Sequence, residues 1–513
     1  MKRNITIAII ILSLISSVNY FAQKHHSDNG NGTYTNPIIA SDFPDPDVIR
    51  VGDTYYMVNT TMFVFPGVTV LKSHDLVNWE YCSNAVPRFD FSLCYNLDGC
   101  SRYGHGQWAT SMKYHNGKFY LLFLTLDEGG FICSAEKAEG PWEFKKLPRG
   151  FHDPGLFFDD DGRIYVAYGY GKISITELDK NFAPISKDSL VFKGDIRPGI
   201  EGSHVYKLNG YYYLYCTYGG GDGFQVALRS KNIHGPYEEK IVIRDTTKGI
   251  NFGIHQGALI QTQTGEWWTI LFVDSGPFGR FPSLQPVTWV DDWPMVGVNG
   301  KAVVTYKKPN VGKDYPIKDL PTSDEFNETK LGMQWGWNHN PDSTKWSLSK
   351  TTGYLRLTTV KVVSNLREAR NTLTQRPFAN YNQTIPTIAV TKIEVNNMKD
   401  GDIAGLAVFQ DPYAYVAVKQ ENGSKQMIMV NNGETIASIP MNRKTVYLHT
   451  IASNSTRKAT FEYSFDNKNF TRIGNELVMR FSLKIFTGNK FCLFNYATKT
   501  IGGYVDFDWF RTM

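Results

Sequence analysis

Long helical periodicity is hard to find in this 513-residue chain, and so is an excess of charge of either sign. The formal net charge of +5 is small for the length, and no basic stripe stands out, which argues against a nucleic-acid binder. Cysteine is scarce: six residues, none in a Cys-x-x-Cys pair, so a zinc site is not indicated. Cys94 and Cys100 lie close together in a loop with Asn96, Asp98 and Gly99, where export would permit a disulfide; Cys82, Cys133, Cys216 and Cys492 read as buried thiols. Only one stretch is strongly apolar. It runs from Ile5 to Ile15 behind Lys2 and Arg3, too short for a comfortable membrane span and followed by the small residues Ser16, Ser17 and Ala22. That is a secretory signal over residues 1–22, with no cysteine after it for a lipid anchor, so the mature protein is expected to be exported, periplasmic or secreted. Residues 23–34 are polar, hold the pair His25-His26, and are expected to be disordered.

What the chain does have is aromatic residues, 14% of the total, and 45 glycines. That balance suits an all-β protein of two or three domains, and aromatic-rich β-proteins of modest charge include many carbohydrate binders. One unit recurs. Pro44-Asp45-Pro46-Asp47 leads a strand, Gly52-Asp53 makes a turn, and Thr54-Tyr55-Tyr56 begins an aromatic strand. Related hairpins follow at Ala109–Tyr120, Asp153–Tyr165, Glu201–Tyr213 and His255–Trp268, each with a Gly-containing turn. A spacing of about 45–65 residues fits propeller blades, and five units imply a five-bladed β-propeller over residues 35–309.

In a propeller the equivalent strand of every blade lines the central channel, so equivalent positions converge in space. The residues opening the five units are Asp45, the Trp108-Ala109 pair, Asp153, Glu201 and His255. A scaffold that repeats while its channel residues vary suggests a site at one end of the axis. Arg88 to Tyr103 is a long insertion of the kind that shapes a pocket. Prolines 309, 316 and 321 mark a linker over residues 310–323. Short alternating strands then predict a β-sandwich over 324–513, among them Ala404–Gln410, Tyr413–Gln420, Thr445–Ile451 and Tyr504–Phe510.

These residues resemble glycoside hydrolase family 43, the five-bladed-propeller glycosidases. The motifs are Asn36-Pro37-Ile38-Ile39 before Pro44-Asp45-Pro46, then Asp153-Pro154, Glu201-Gly202, and Gly279-Arg280 before Leu284-Gln285-Pro286, in family order. Tyr463–Asp466 and the closing Asp506–Phe510 are similar to the concanavalin A-like sandwich of the β-xylosidase branch. The resemblance implies an inverting hydrolase in which Asp45 is the general base, Glu201 the general acid, and Asp153 holds and tunes Glu201. Inversion needs base and acid about 6.5–9.5 Å apart to admit a water. It further implies that Trp108 stacks on sugar, that Arg280 binds sugar hydroxyls or a carboxylate, and that His255 sits near an axial calcium or other ion, linked through water because calcium prefers oxygen. No cofactor is implied for the chemistry. Thr110, Ser111, Met62 and Ser203 depart from the xylosidase pattern, which favours α-L-arabinofuranoside somewhat ahead of β-D-xyloside as the terminal pentose removed, from hemicellulose or pectin side-chain oligosaccharides. The alternatives are a non-catalytic carbohydrate-binding propeller, an endo-arabinanase or galactosidase of the same family, and a retaining fructan hydrolase.

Overall fold

The computed structural model describes residues 26–245, 253–348, 353–380 and 385–513; the expected signal segment lies outside them. Residues 47–296 form five four-stranded antiparallel sheets. Their innermost strands are Asp47–Val51, Ser111–His115, Gly155–Phe158, Ile200–Leu208 and Ile254–Gln261, so each expected hairpin opens one blade. The turns explain the local fold. Asn116-Gly117 and Asn209-Gly210 close two-residue loops with both residues at positive φ, a geometry that Asn-Gly tolerates and that matches the strand twist.

Strand alternation then sends apolar side chains into the seams between blades. Leu122 and Ile132 of the second blade meet Leu156 and Val166 of the third. Tyr215 and Ala227 of the fourth meet Leu259 and Leu271 of the fifth. The ring closes where Met57 and Leu71 of the first meet Ala258 and Ile270 of the fifth. A fully buried Leu or Ile is worth about 1.5–3 kcal/mol, so each seam contributes on the order of 10 kcal/mol before chain entropy is counted.

The segment before the propeller is not the disordered tail that its polarity suggests. Thr33–Thr35 pairs with Thr305–Lys307, and the Asn36 side chain bonds the backbone of Leu284 and Val303. Asp28 is buried and accepts hydrogen bonds from Asn78 (2.8 Å) and Lys308 (2.6 Å). These partners lie far away in sequence, so local composition does not reveal them. Residues 310–323 also lie against the propeller, with Val311 and Leu320 buried in the seam between the first and fifth blades.

The C-terminal residues fold into a sandwich of two antiparallel sheets around one large core. The expected strands are present, and Thr387–Glu394 and Glu434–Met441 join them. One sheet ends on a strand from outside the domain. Val64–Phe65, just ahead of the first-blade strand Gly67–Ser73, pairs with Trp337 and Asn338 of the sandwich. Cys94 and Cys100 are bonded, and the other four cysteines are buried thiols.

Candidate active site

Four of the five blade openings share a backbone kink. Asp45 (φ 54°) and Asp153 (φ 45°) lie in the left-handed region, two residues before their strands, a position that Asp tolerates better than most residues. In the fourth and fifth blades the same kink falls at Gly202 (φ 68°) and Gln256 (φ 48°), inside bulges that shift the register of those strands. Glu201 and His255 therefore stand one residue before the position of Asp45 and Asp153, not level with them. Trp108 and His152 occupy the matching place in the second and third blades. This offset brings His152 into the site, a residue that the motif reading passed over.

The carboxylates are differently held. Asp45 is buried; Arg280 Nη1 donates to its Oδ1 at 2.8 Å and the Thr60 hydroxyl to its Oδ2 at 2.5 Å. Burial pushes its pKa above the ordinary carboxylate value; Arg280 and Thr60 oppose the rise, while Glu201 and Asp42 add to it. Asp153 is also buried and accepts from Gln256 Nε2 at 3.1 Å. Burial again raises its pKa, against the positive charge of His152 and with the help of Glu201 and Asp45. His152 Nε2 lies 3.2 Å from Glu201 Oε2 and 3.8 Å from Asp153 Oδ1. Burial disfavours its charge, but these two carboxylates outweigh burial and hold its proton. Glu201 is half-buried at the mouth of the group, and a Cβ at Gly219 would lie 2.8 Å from its Oε1, so a larger residue there would push that carboxyl aside.

Arg280 is held from both sides. Its backbone N–H donates to Asp42 Oδ1 at 3.0 Å, and the Asp42 Oδ2 accepts from the Gly488 N–H (2.8 Å) and from Lys490 Nζ (3.2 Å) of the sandwich. Burial would raise the Asp42 pKa, but Lys490 and Arg280 hold it below its ordinary value. The Arg280 guanidinium lies over the rings of Phe272 and Phe486, and its Nε and Nη2 are buried without a protein partner. The pocket they face has a volume of about 570 Å³ and is lined by Glu201, His255, Gln256 and Phe272 from the propeller and by Phe481 and Phe486 from the sandwich. The accessory domain thus supplies part of the wall.

Trp108 is half-buried and stacked on Phe486 at 4.9 Å between ring centres, so that contact, between propeller and sandwich, already engages the indole. His255 is buried, packs edge-on to Phe272, and reaches one carboxylate, Asp274, at 3.6 Å. Both of its ring nitrogens lack a hydrogen-bond partner. An imidazole with one distant carboxylate does not match the six to eight oxygens of a calcium site, so His255 does not fit a directly bound calcium. Among the described residues, the one group offering three ligand atoms within 4.8 Å is His152, Asp153 and Glu201 itself.

Met62, Thr110, Ser111 and Ser203 are buried, and none of them lines the pocket. Ser111 instead helps hold Asp47 deeper in the channel, beside His204 and Lys113, where the carboxyl is held down at about 2: burial opposes ionisation, but Lys113 and His204 overcome it. The substitutions therefore give no direct account of sugar preference.

Comparison with known proteins agrees with this arrangement. Residues 34–294 match the family model "Glycosyl hydrolases family 43", and residues 323–512 match "Beta xylosidase C-terminal Concanavalin A-like domain". A β-xylosidase of Formosa agariphila is 34% identical, over 94% of this chain and 90% of its own. A non-reducing end α-L-arabinofuranosidase of Bacteroides ovatus is 30% identical over 87% and 83%. Among solved structures, a bifunctional GH43-CE protein of Bacteroides eggerthii superposes with a TM-score of 0.86 at 38% identity and 96% coverage of this chain; the chain spans 64% of that protein's length. The chain belongs to glycosyl hydrolase family 43 and is a glycoside hydrolase with a five-bladed propeller and a concanavalin A-like sandwich.

Proposed function

We propose that this enzyme removes single terminal pentoses from the non-reducing ends of hemicellulose oligosaccharides with inversion of the anomeric centre, and that its glycone is β-D-xylose. One observation carries the exo reading: Phe481 and Phe486 of the sandwich join Arg280 and Phe272 of the propeller in lining the pocket, and a wall from the second domain suits a chain end better than the middle of a chain. The xylosidase name of a relative covering 94% of this chain supports the sugar. α-L-Arabinofuranose, from arabinoxylan or pectin side chains, is the second reading, supported by the name of the Bacteroides ovatus relative.

In this mechanism Asp45 takes a proton from the water that attacks the anomeric carbon. Its raised pKa makes it a stronger base than a solvated Asp. Glu201 gives its proton to the glycosidic oxygen as that bond to the anomeric carbon breaks, so water adds to one face while the departing alcohol leaves from the other. Asp153 acts on the acid through His152, which lies between the two carboxyls and keeps Glu201 oriented. The two partnerless nitrogens of Arg280 hydrogen-bond sugar hydroxyls. Hydrolysis by this set needs no cofactor. The basic start and apolar run of residues 1–22 support export of the enzyme.

The test is release of nitrophenol from β-D-xyloside and α-L-arabinofuranoside by wild type and Asp45→Ala, with the first-formed anomer read by proton NMR. Wild type should act on the xyloside and give the α-anomer first, and Asp45→Ala should be inactive. A β-anomer formed first from the xyloside, or an α-anomer first from the arabinofuranoside, would overturn inversion, and oligosaccharide products from polymer would overturn exo action. Sugar binding without release from any substrate would favour the non-catalytic propeller.

A further inference from the structure

Asp153 stands on the third blade, and the side chain that fixes it comes from the fifth. Gln256 Nε2 donates to Asp153 Oδ2 at 3.1 Å across 103 residues of sequence, and both side chains are buried. The other oxygen, Oδ1, has His152 Nε2 at 3.8 Å, near enough to attract its charge but beyond hydrogen-bond reach. Among the described residues Gln256 therefore gives this carboxyl its one side-chain hydrogen bond. A carboxyl turns about its last torsion in a broad, roughly two-fold well. One directional contact thus decides where the two oxygens point.

The surrounding backbone delivers that amide. Gln256 lies at φ 48°, in the left-handed region, inside the bulge between His255 and Gly257. A residue with a side chain is costly there and persists only where its surroundings hold it. Gln225 of the fourth blade does so: it is fully buried, and its Oε1 accepts the Gln256 N–H at 2.8 Å. The path to Asp153 runs over Gly202, the chain neighbour of Glu201. A Cβ at Gly202 would lie 3.1 Å from Gln256 Cγ and 3.3 Å from its Cδ, so the absent side chain leaves the room in which Gln256 crosses. The fifth blade supplies the donor, the fourth its support and clearance, and the third the acceptor.

We propose that Gln256 is a positioning residue for the acid half of the reaction: its amide fixes the Asp153 carboxyl toward His152, and so keeps Glu201 in the orientation that protonates the leaving oxygen. This rests on the glycosidase reading and deepens it. Gln256 also lines the pocket, so a direct contact with the sugar is the rival role. The two roles leave different signatures. A group that binds the sugar acts alike on every glycoside of that sugar. A group that works through the proton donor matters in proportion to the leaving oxygen's need for a proton.

The experiment measures kcat/KM on the phenyl, nitrophenyl and dinitrophenyl glycosides of the pentose that wild type cleaves, in wild type and in Gln256→Met, which keeps the length and removes the donor. One sugar and similar aryl groups hold binding nearly constant, while the need for a proton falls from phenyl to dinitrophenyl. Loss of one buried hydrogen bond to the carboxyl should lower kcat/KM on the phenyl glycoside about 10-fold, with a smaller fall on nitrophenyl and dinitrophenyl within about twofold. An unfolded fraction lowers all three alike, so the ratio of phenyl to dinitrophenyl reads the role even in a destabilised variant. An equal fall on all three would overturn the proposal and leave Gln256 as a sugar ligand or a scaffold residue. No fall on the phenyl glycoside would overturn it as well. Wild type inactive on the glycosides of both pentoses would instead remove the glycosidase reading on which it rests.

Discussion

Replacing Arg280 with Met keeps much of its bulk and removes its charge from beside Asp45. The two side chains are buried, with Nη1 2.8 Å from Oδ1. Taking the charge centres as about 4 Å apart and an effective dielectric constant of about 20, their attraction is about 4 kcal/mol. At about 1.4 kcal/mol per factor of ten, and allowing for relaxation and entering water, the ratio of ionised to neutral Asp45 should fall roughly a hundredfold in Arg280→Met. Burial, already the largest influence raising this carboxyl, would then act with less opposition. The assay is kcat/KM on a nitrophenyl pentoside across pH. The variant should be weakest relative to wild type in acid and recover as the pH rises, because alkali restores the ionised base. Arg280→Lys, which keeps a positive charge, should lose activity with little dependence on pH, since it gives up sugar hydrogen bonds only. A ratio of Arg280→Met to wild type that is constant across pH would refute the reasoning and leave Arg280 as a sugar ligand alone.

Other outcomes follow from the same contacts. Glu201→Ala should lose most activity on disaccharides and little on aryl glycosides with good leaving groups, which need less protonation; equal losses would count against Glu201 as the acid. Asp153 has a raised pKa, so the folded protein retains a proton that the unfolded chain releases, and stability is lost as pH rises from the ordinary carboxylate value through the raised one. The Tm advantage of Asp153→Asn over wild type should therefore grow with pH across that window, and a constant difference in Tm would contradict it. Lys490→Met leaves Asp42 buried beside the sandwich without its nearest cation, with Arg280 the remaining positive charge. Breaking one side of such a pair costs about 3–5 kcal/mol; urea unfolding should show this, with Asp42→Asn added to Lys490→Met recovering part of it.

The five hairpins were legible because their signals are local: Asn-Gly turns at positive φ, aromatic alternation, and Asp-Pro at the mouth of a strand. The cluster at the axis was legible to within one residue. Treating the five openings as level hid the bulges at Gly202 and Gln256, and so hid His152, although it immediately precedes Asp153. Aligning Gly202 and Gln256 with Asp153 would have found it. Phe481, Phe486 and the Asp42–Lys490 pair carried no such signal, because their place in the site depends on how one domain sits on the other. Glu434–Met441 escaped for a different reason: as an edge strand it is exposed at most positions and shows little alternation. The polar stretch around Asp28 misled because its partners are remote.

The hydrogen bonds between Val64–Phe65 and Trp337–Asn338 make one sheet common to both domains. A joint of this kind resists the hinge opening by which many two-lobed enzymes admit and release substrate, since swinging the lobes apart would first have to strip backbone hydrogen bonds from a buried sheet edge. The pocket is then a socket of fixed depth. Substrate entry and product release then proceed by diffusion alone, without the two domains swinging apart.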